Sequence, residues 1–271
     1  MQLSVRHLTT YRYARPIASV IQTLRLTPRA FDGLTVTRWR VRGAHARGMP
    51  SYVDGFGNLV HLHTLNRPHQ NSTILVEGQV ETQDTDGAVR GTPEPLPPAF
   101  FLRSTPPTLA DAAINQLAAE GARGSSTHDR LHALMHMVHQ RVAYQRGTTD
   151  TTTTAASALA LGSGVCQDHA HLLIAACRVL RIPARYVAGY LWTGAEGEDP
   201  WANHAWAEAY IENDGWFGFD AANATPPTER HIRVSVGLDY WSAAPVRGVR
   251  RGKAEETLSV TVELAAVQGA Q

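Results

Sequence analysis

Three side chains in this 271-residue chain stand where each could act on a carbonyl carbon. Cys166 follows the turn Gly162-Ser163-Gly164-Val165 and precedes the apolar run from His171 to Leu180. This spacing predicts a thiol in the first turn of a buried helix. Unpaired amide N–H groups and the positive end of the helix dipole favour a thiolate there, and the same groups can receive a developing oxyanion. His204 opens an alternating segment in which Ala205, Ala207 and Ala209 share one face of a strand. Asp220 closes the aromatic run Trp216-Phe217-Gly218-Phe219. The turn formers Glu212-Asn213-Asp214-Gly215 join these two segments as a hairpin. A helix start and two neighbouring strands can thus deliver thiol, imidazole and carboxylate to one cleft. The chemistry expected is attack by sulfur, with the imidazole carrying the proton and the carboxylate orienting it.

Other reactive residue types read differently. Cys177, within Ile174-Ala175-Ala176, is expected to be a small core residue. On one helix the two thiols would lie roughly 16 Å apart, beyond disulfide reach, and two free thiols suit a cytoplasmic protein. His128, His132, His136 and His139 recur along one helix, but no carboxylate or cysteine completes a ligand set and no HExxH is present. A solvated helix face is the better reading, and no metal is expected. His61 and His63 are expected to face solvent or a domain interface. His169 and His171 are expected to point away from Cys166 around the helix. Gln167 and Asp168 suit helix capping, with Gln167 a weaker candidate for the substrate side. Trp201 leads into His204 and is a candidate wall of the acyl site, and the segment from Thr193 to Pro200 is a candidate gate.

The elements that must position these groups fall into two parts. Leu3 to Tyr13, Ser19 to Leu26, Leu34 to Val41, Leu59 to Leu65 and Thr73 to Thr82 alternate as half-buried strands do. The segment from Gln83 to Pro107 carries six prolines and reads as a linker. Helices are expected from Thr108 to Glu120, with Thr108 and Asp111 at capping positions, from Thr127 to Val142, from Ala155 to Leu161 and from Val165 to Leu180. Pro183 closes the last of these. Strands follow at Ala184 to Trp192, His204 to Ile211, Trp216 to Asp220, Ile232 to Val236 and Leu258 to Leu264. The fold class is α+β: an antiparallel, sandwich-like β domain over residues 1–98, then a catalytic core with C-terminal strands over 99–271.

The segments G-V-C-Q-D-H-A-H-L, I-P-A-R-Y-V-A-G-Y, H-A-W-A-E-A-Y and W-F-G-F-D resemble the papain-related core of the bacterial transglutaminase-like family. H-L-T-T-Y-R-Y, L-R-L-T-P-R and D-G-F-G-N resemble the β domain that precedes such cores, and V-G-L-D-Y-W-S-A-A-P-V-R-G-V its C-terminal segment. The resemblance implies a Cys166–His204–Asp220 triad acting on an amide or peptide bond through a thioester. Hydrolysis by a peptidase or amidase is the leading reading, with amine transfer as the alternative. It also points to Tyr144, in Val142-Ala143-Tyr144, as the aromatic residue preceding the nucleophile loop, although a core tyrosine is an equal reading. Two departures stand out: Ala221-Ala222-Asn223 replaces a proline and a hydroxyl residue behind the aspartate, and no second acidic residue stands near Ser242.

Composition bounds the partners. With 25 basic and 24 acidic side chains the chain has no basic excess for nucleic acid or a membrane surface. The expected partner is a peptide or protein amide; no cofactor is expected, and the oligomeric state is left open. A catalytically silent peptide-binding module is the rival from another class, and it has no need of all three triad residues.

Overall fold

The computed structural model describes residues 1–44, 48–194, 197 and 202–267. Seven strands come first: β1 (Gln2–Ile17), β2 (Ser19–Thr27), β3 (Leu34–Gly43), β4 (Ser51–Val53), β5 (Leu59–Leu65), β6 (His69–Thr82) and the short β7 (Ala88–Val89). The helical layer follows as α1 (Ala112–Gly121), α2 (Thr127–Arg141), β8 (Ala143–Tyr144), α3 (Ala155–Leu161), β9 (Ser163–Gly164) and α4 (Cys166–Val179). The remainder is β10 (Ala184–Leu191), β11 (Asn203–Ile211), β12 (Gly215–Phe219), β13 (His231–Gly237), α5 (Tyr240–Ala243), β14 (Val246–Arg251) and β15 (Glu256–Ala266).

Alternation builds the first half. Strand β1 buries Leu3, Val5, His7 and Thr9 while Arg6 stays exposed, and β6 buries Ile74, Val76 and Val80 on the matching face. Two antiparallel four-stranded sheets result, in the orders β15-β1-β6-β3 and β14-β2-β5-β4. The last two strands, expected beside the catalytic core, hydrogen-bond into these N-terminal sheets. β15 runs along β1 from Leu3↔Ala266 to Tyr13↔Glu256, and β14 runs along β2. In exchange, β7 adds to the edge of the core sheet, whose order is β13-β10-β11-β12-β7.

Two local expectations are corrected. The helix expected from Thr108 begins at Ala112, because the Pro106–Thr108 segment forms a separate 3-10 turn and Asp111 caps the helix by accepting the Ile114 amide. His63 is fully buried and bonds Gln22 at 3.0 Å. It shares its face of β5 with the buried Leu65, and Gly43 of β3 leaves room for its ring, which a Cβ there would strike.

Helix α4 is the axis of the core. Every residue from Gln167 to Arg178 is buried. Ala205, Ala207 and Ala209 of β11 lie in the same apolar cluster as its Ala170, Leu172 and Ile174. Small side chains on the strand let the helix approach closely. At its far end Arg178 donates to the carbonyls of Phe101, Ala184 and Leu238 and to Thr108 Oγ1, at 2.6–3.0 Å. One guanidinium therefore ties the proline-rich linker, β10 and the approach to α5 to the helix. On the other side of the sheet Glu208, wholly buried, bridges Arg185 (2.6 Å) and Arg233 (2.7 Å), and Arg185 also holds Glu94 of the linker and stacks over Trp216. Burial alone would disfavour the Glu208 carboxylate, but the two arginines outweigh it and hold its pKa at about 2. No described helix is long and apolar enough to cross a membrane.

Replacing Arg178 with Met should leave three buried carbonyls without their donor, each costing about 1–3 kcal/mol. We expect a loss of at least ~3 kcal/mol in urea unfolding; a loss within the range of surface substitutions would contradict the role given to this side chain.

Candidate active site

The nucleophile loop is set by two glycines. Gly162 ends α3 in the left-handed conformation at φ +68°, which turns the chain sharply. The chain then runs as β9 parallel to β8, with Tyr144 opposite Gly164. A Cβ on Gly164 would lie 2.7 Å from Asp168 Cβ, so only glycine fits beneath the first turn of α4. Asp168 accepts the Val165 amide at 2.8 Å and the Thr149 hydroxyl at 2.7 Å, which fixes the helix start. Burial still raises the Asp168 pKa against those bonds. Cys166, partly exposed, is the first residue of the helix.

His204 and Asp220 arrive from the neighbouring strands. His204 Nε2 lies 2.7 Å from Asp220 Oδ2, and Cys166 shares the cleft with the imidazole, close enough to act on its protonation. With Nε2 engaged by the carboxylate, Nδ1 is the nitrogen left for sulfur. Burial favours the neutral ring, but Asp220 outweighs it and Cys166 adds in the same sense, so the His204 pKa rises to about 10. Burial likewise opposes the Asp220 carboxylate, yet His204 and then His231 hold it well below the usual carboxylate range.

Asp220 has no solvent exposure and receives a full set of donors. The amides of Ala222 and Asn223 donate to Oδ1, at 3.1 and 3.3 Å. Asn223 Nδ2 (2.6 Å) and His231 Nε2 (3.2 Å) join His204 on Oδ2. The Thr228 amide donates to His231 Nδ1 at 3.0 Å, so the proton of the neutral ring sits on Nε2 and points at the carboxylate. Neither Asn223 nor His231 was anticipated as a site residue. Asn223 lies in the segment that departs from the family pattern, and His231 opens a strand with no local mark of its contact. Among the described residues, His204, Asp220 and His231 also form a group whose metal-ligating atoms lie within 4.8 Å of one another. As hydrogen-bonded here, the two rings direct N–H groups rather than lone pairs at the carboxylate.

The weaker candidates divide. Tyr144 lies beside the sulfur: burial first, then Cys166, pushes its phenol up to about 12. Gln167 lines the cleft, and its amide reaches the Asp150 carbonyl at 3.5 Å. Trp201 and most of the expected gate, from Thr193 to Pro200, lie outside the described residues. His169 is held between the carbonyls of Val165 and Val142, and His171 accepts the Tyr240 amide, its pKa lowered to about 4 by burial. Of the α2 histidines, His136 and His139 are exposed as expected, whereas His128 and His132 are half-buried, packing edge-on against Phe217 and Phe219 of β12. The cleft at Cys166, about 320 Å³, has a wall that residue patterns did not reveal: His7, Thr9 and Tyr11 of β1 with Leu258 and Val260 of β15.

Comparison with known proteins shows the family and the fold. Residues 115–221 match the model of the transglutaminase-like superfamily, and residues 3–81 match the bacterial transglutaminase-like N-terminal region. An uncharacterized protein of Mycobacterium leprae is 32% identical, over 97% of this chain and 98% of its own length. Another, of Mycobacterium bovis, is 30% identical over 98% and 93%. A solved structure from Cytophaga hutchinsonii, provisionally described as a cysteine protease, shares the fold with a TM-score of 0.78 at 22% identity, covering 100% of this chain and 92% of that one.

The two coupled groups give stability a defined pH window. The raised His204 value makes its contribution complete below its unfolded value near ~6.5, and the contribution is lost as pH climbs through about 10. The lowered Asp220 value makes its contribution complete above ~3.9, and it is lost as pH falls. The difference in unfolding free energy between the protein and Asp220→Asn should therefore be largest between about pH 4 and pH 6.5 and shrink toward pH 10. His231→Ala, which removes a donor from Oδ2, should move the acid limb to higher pH. A difference that is flat with pH would mean the pair is not formed.

Proposed function

Because the chain belongs to the transglutaminase-like superfamily, we propose that it is a thiol-dependent acyl-transfer enzyme acting on amide or peptide bonds, with Cys166, His204 and Asp220 as its triad. The observation that carries this reading is the His204 imidazole held by a buried carboxylate at 2.7 Å in the same cleft as the Cys166 thiol. Fold alone does not define activity; a nucleophile, base and orienter in contact supply the chemical argument.

In this reading the Cys166 sulfur attacks the carbonyl carbon and a C–S bond forms. The carbonyl oxygen takes the negative charge beside the amides of the first turn of α4. His204 gives its proton to the leaving nitrogen as the C–N bond breaks, which leaves a thioester on Cys166. Water, deprotonated by His204, then attacks the thioester, releasing the acid and restoring the thiol. Asp220 keeps the ring in the tautomer that presents Nδ1 to sulfur and stabilises the imidazolium. Tyr144 and Gln167 flank the sulfur and are proposed to contact the substrate there. A peptide or protein segment is the substrate.

Alkylation with iodoacetamide at about pH 7, read at each cysteine by mass spectrometry, tests the triad. Cys177 is the internal control, because burial pushes its thiol up to about 12. Cys166 should label at least ~10-fold faster in the protein than in His204→Ala, while the buried Cys177 labels slowly in both. Equal rates at both cysteines, or no effect of the substitution, would favour a silent binding module. Digestion of casein with and without methylamine then identifies the acceptor. New amino termini indicate hydrolysis, and methylamide products indicate amine transfer.

A further inference from the structure

The inner face of the sheet containing β1 and β15 is covered at one end and open at the other. Leu3 and Val5 of β1, with Val262 and Leu264 of β15, are at most 3% exposed. The same face continues through the pairs Thr9↔Val260 and Tyr11↔Leu258. There the cover ends: Val260 is 44% and Leu258 52% exposed, and both look into the cleft that contains Cys166.

These two residues are out of place for a merely solvated surface. β15 is an edge strand, where exposed positions normally carry charge to deter pairing. The outer face of the same sheet does so, with Arg6, Arg38, Arg40, Glu77 and Glu263. Among the described residues, by contrast, no lysine, arginine, aspartate or glutamate lines the cleft. Its one titratable wall residue beyond the reacting groups and tyrosines, His7, is spent internally. His7 Nδ1 bonds the Tyr190 hydroxyl at 2.7 Å and Nε2 the Thr9 hydroxyl at 2.9 Å, and burial keeps the ring neutral. A charged side chain brought against this wall would lose hydration against Leu258 and Val260, and no described residue lining the cleft carries a formal charge to answer it. At about 320 Å³ the space is at the small end for a ligand site, which suits a short segment rather than a folded surface.

We propose that Leu258 and Val260, with Tyr11, form the subsite for an uncharged, apolar side chain next to the reacting carbonyl, so that the enzyme selects acyl donors of that class. The proposal rests on the acyl-transfer reading above. The β domain is then a specificity element, because its two strands carry one wall of the site while the core carries the chemistry.

Three chloromethyl ketones, of N-acetyl-leucine, N-acetyl-aspartate and N-acetyl-lysine, test this. Each alkylates the thiolate as the S–C bond forms and chloride leaves. Iodoacetamide, which has no side chain to recognise, normalises every rate for thiol reactivity. The leucine reagent should label Cys166 at least ~10-fold faster than either charged one. Leu258→Lys should raise the normalised aspartate rate, and Leu258→Glu the lysine rate, each by about 10-fold relative to leucine. Position 258 is half-exposed on an edge strand, and thermal melting of each variant verifies its fold. Equal normalised rates for the three reagents, or ratios unmoved by both substitutions, overturn the subsite while leaving the triad standing. If iodoacetamide labelling does not depend on His204, the acyl-transfer reading fails and the subsite falls with it.

Discussion

Asp220 is wholly buried, and a buried carboxylate is tolerable only when its lone pairs are filled and its charge is answered. Meeting that demand organises the centre. The chain must turn back immediately after β12 so that the Ala222 and Asn223 amides face Oδ1. The start of β13 must bring His231 to Oδ2, and β11 must present His204 at the same oxygen. Three consecutive strands are thereby held in register at one end by a single side chain. The imidazole is thereby held with Nε2 on the carboxylate and its other nitrogen directed away from it.

A second buried carboxylate does comparable work four residues along β11. Glu208 shares the strand face of His204 and is clamped by Arg185 and Arg233 from the strands on its far side. The opposite face carries the alanines that accept α4. The strand bearing His204 is thus fixed from above by close apolar packing and from below by ion pairs. Such a strand has little freedom to shift His204 away from Cys166, which is what pre-organised chemistry requires.

How much of this was legible in the sequence depended on whether the signal was local. Gly162-Ser163-Gly164 before an apolar run located the helix start and its cysteine, Pro183 marked where that helix must be over, and Asn213-Asp214-Gly215 located the hairpin between β11 and β12. Each is a short-range steric rule, and each placed its element within a residue or two. Contacts between distant segments left no such mark. His231 looks like the first polar residue of a strand until Asp220 is folded against it. Glu208, in His204-Ala205-Trp206-Ala207-Glu208, reads as an outward-facing charge, because nothing nearby announces the two arginines. His63 packs against Gly43 of β3, a contact that its own strand does not announce. The pairing of β15 with β1, and therefore one wall of the cleft, was hidden for the same reason: strand partners are chosen by the whole fold, not by the residues beside them.

That pairing also sets an order of events during synthesis. β1 leaves the ribosome early, its inner face apolar and one of its edges unpaired, and must wait until Ala266 has been added before Leu3 has its partner. Closing so long a loop is an entropic cost met late, after the local helices and hairpins of the core have formed. Cys166, His204 and Asp220 all precede β15, so the reactive trio exists in the nascent chain before the surface opposite it. The growing chain thus makes the three residues of the candidate site first and one wall of their cleft last.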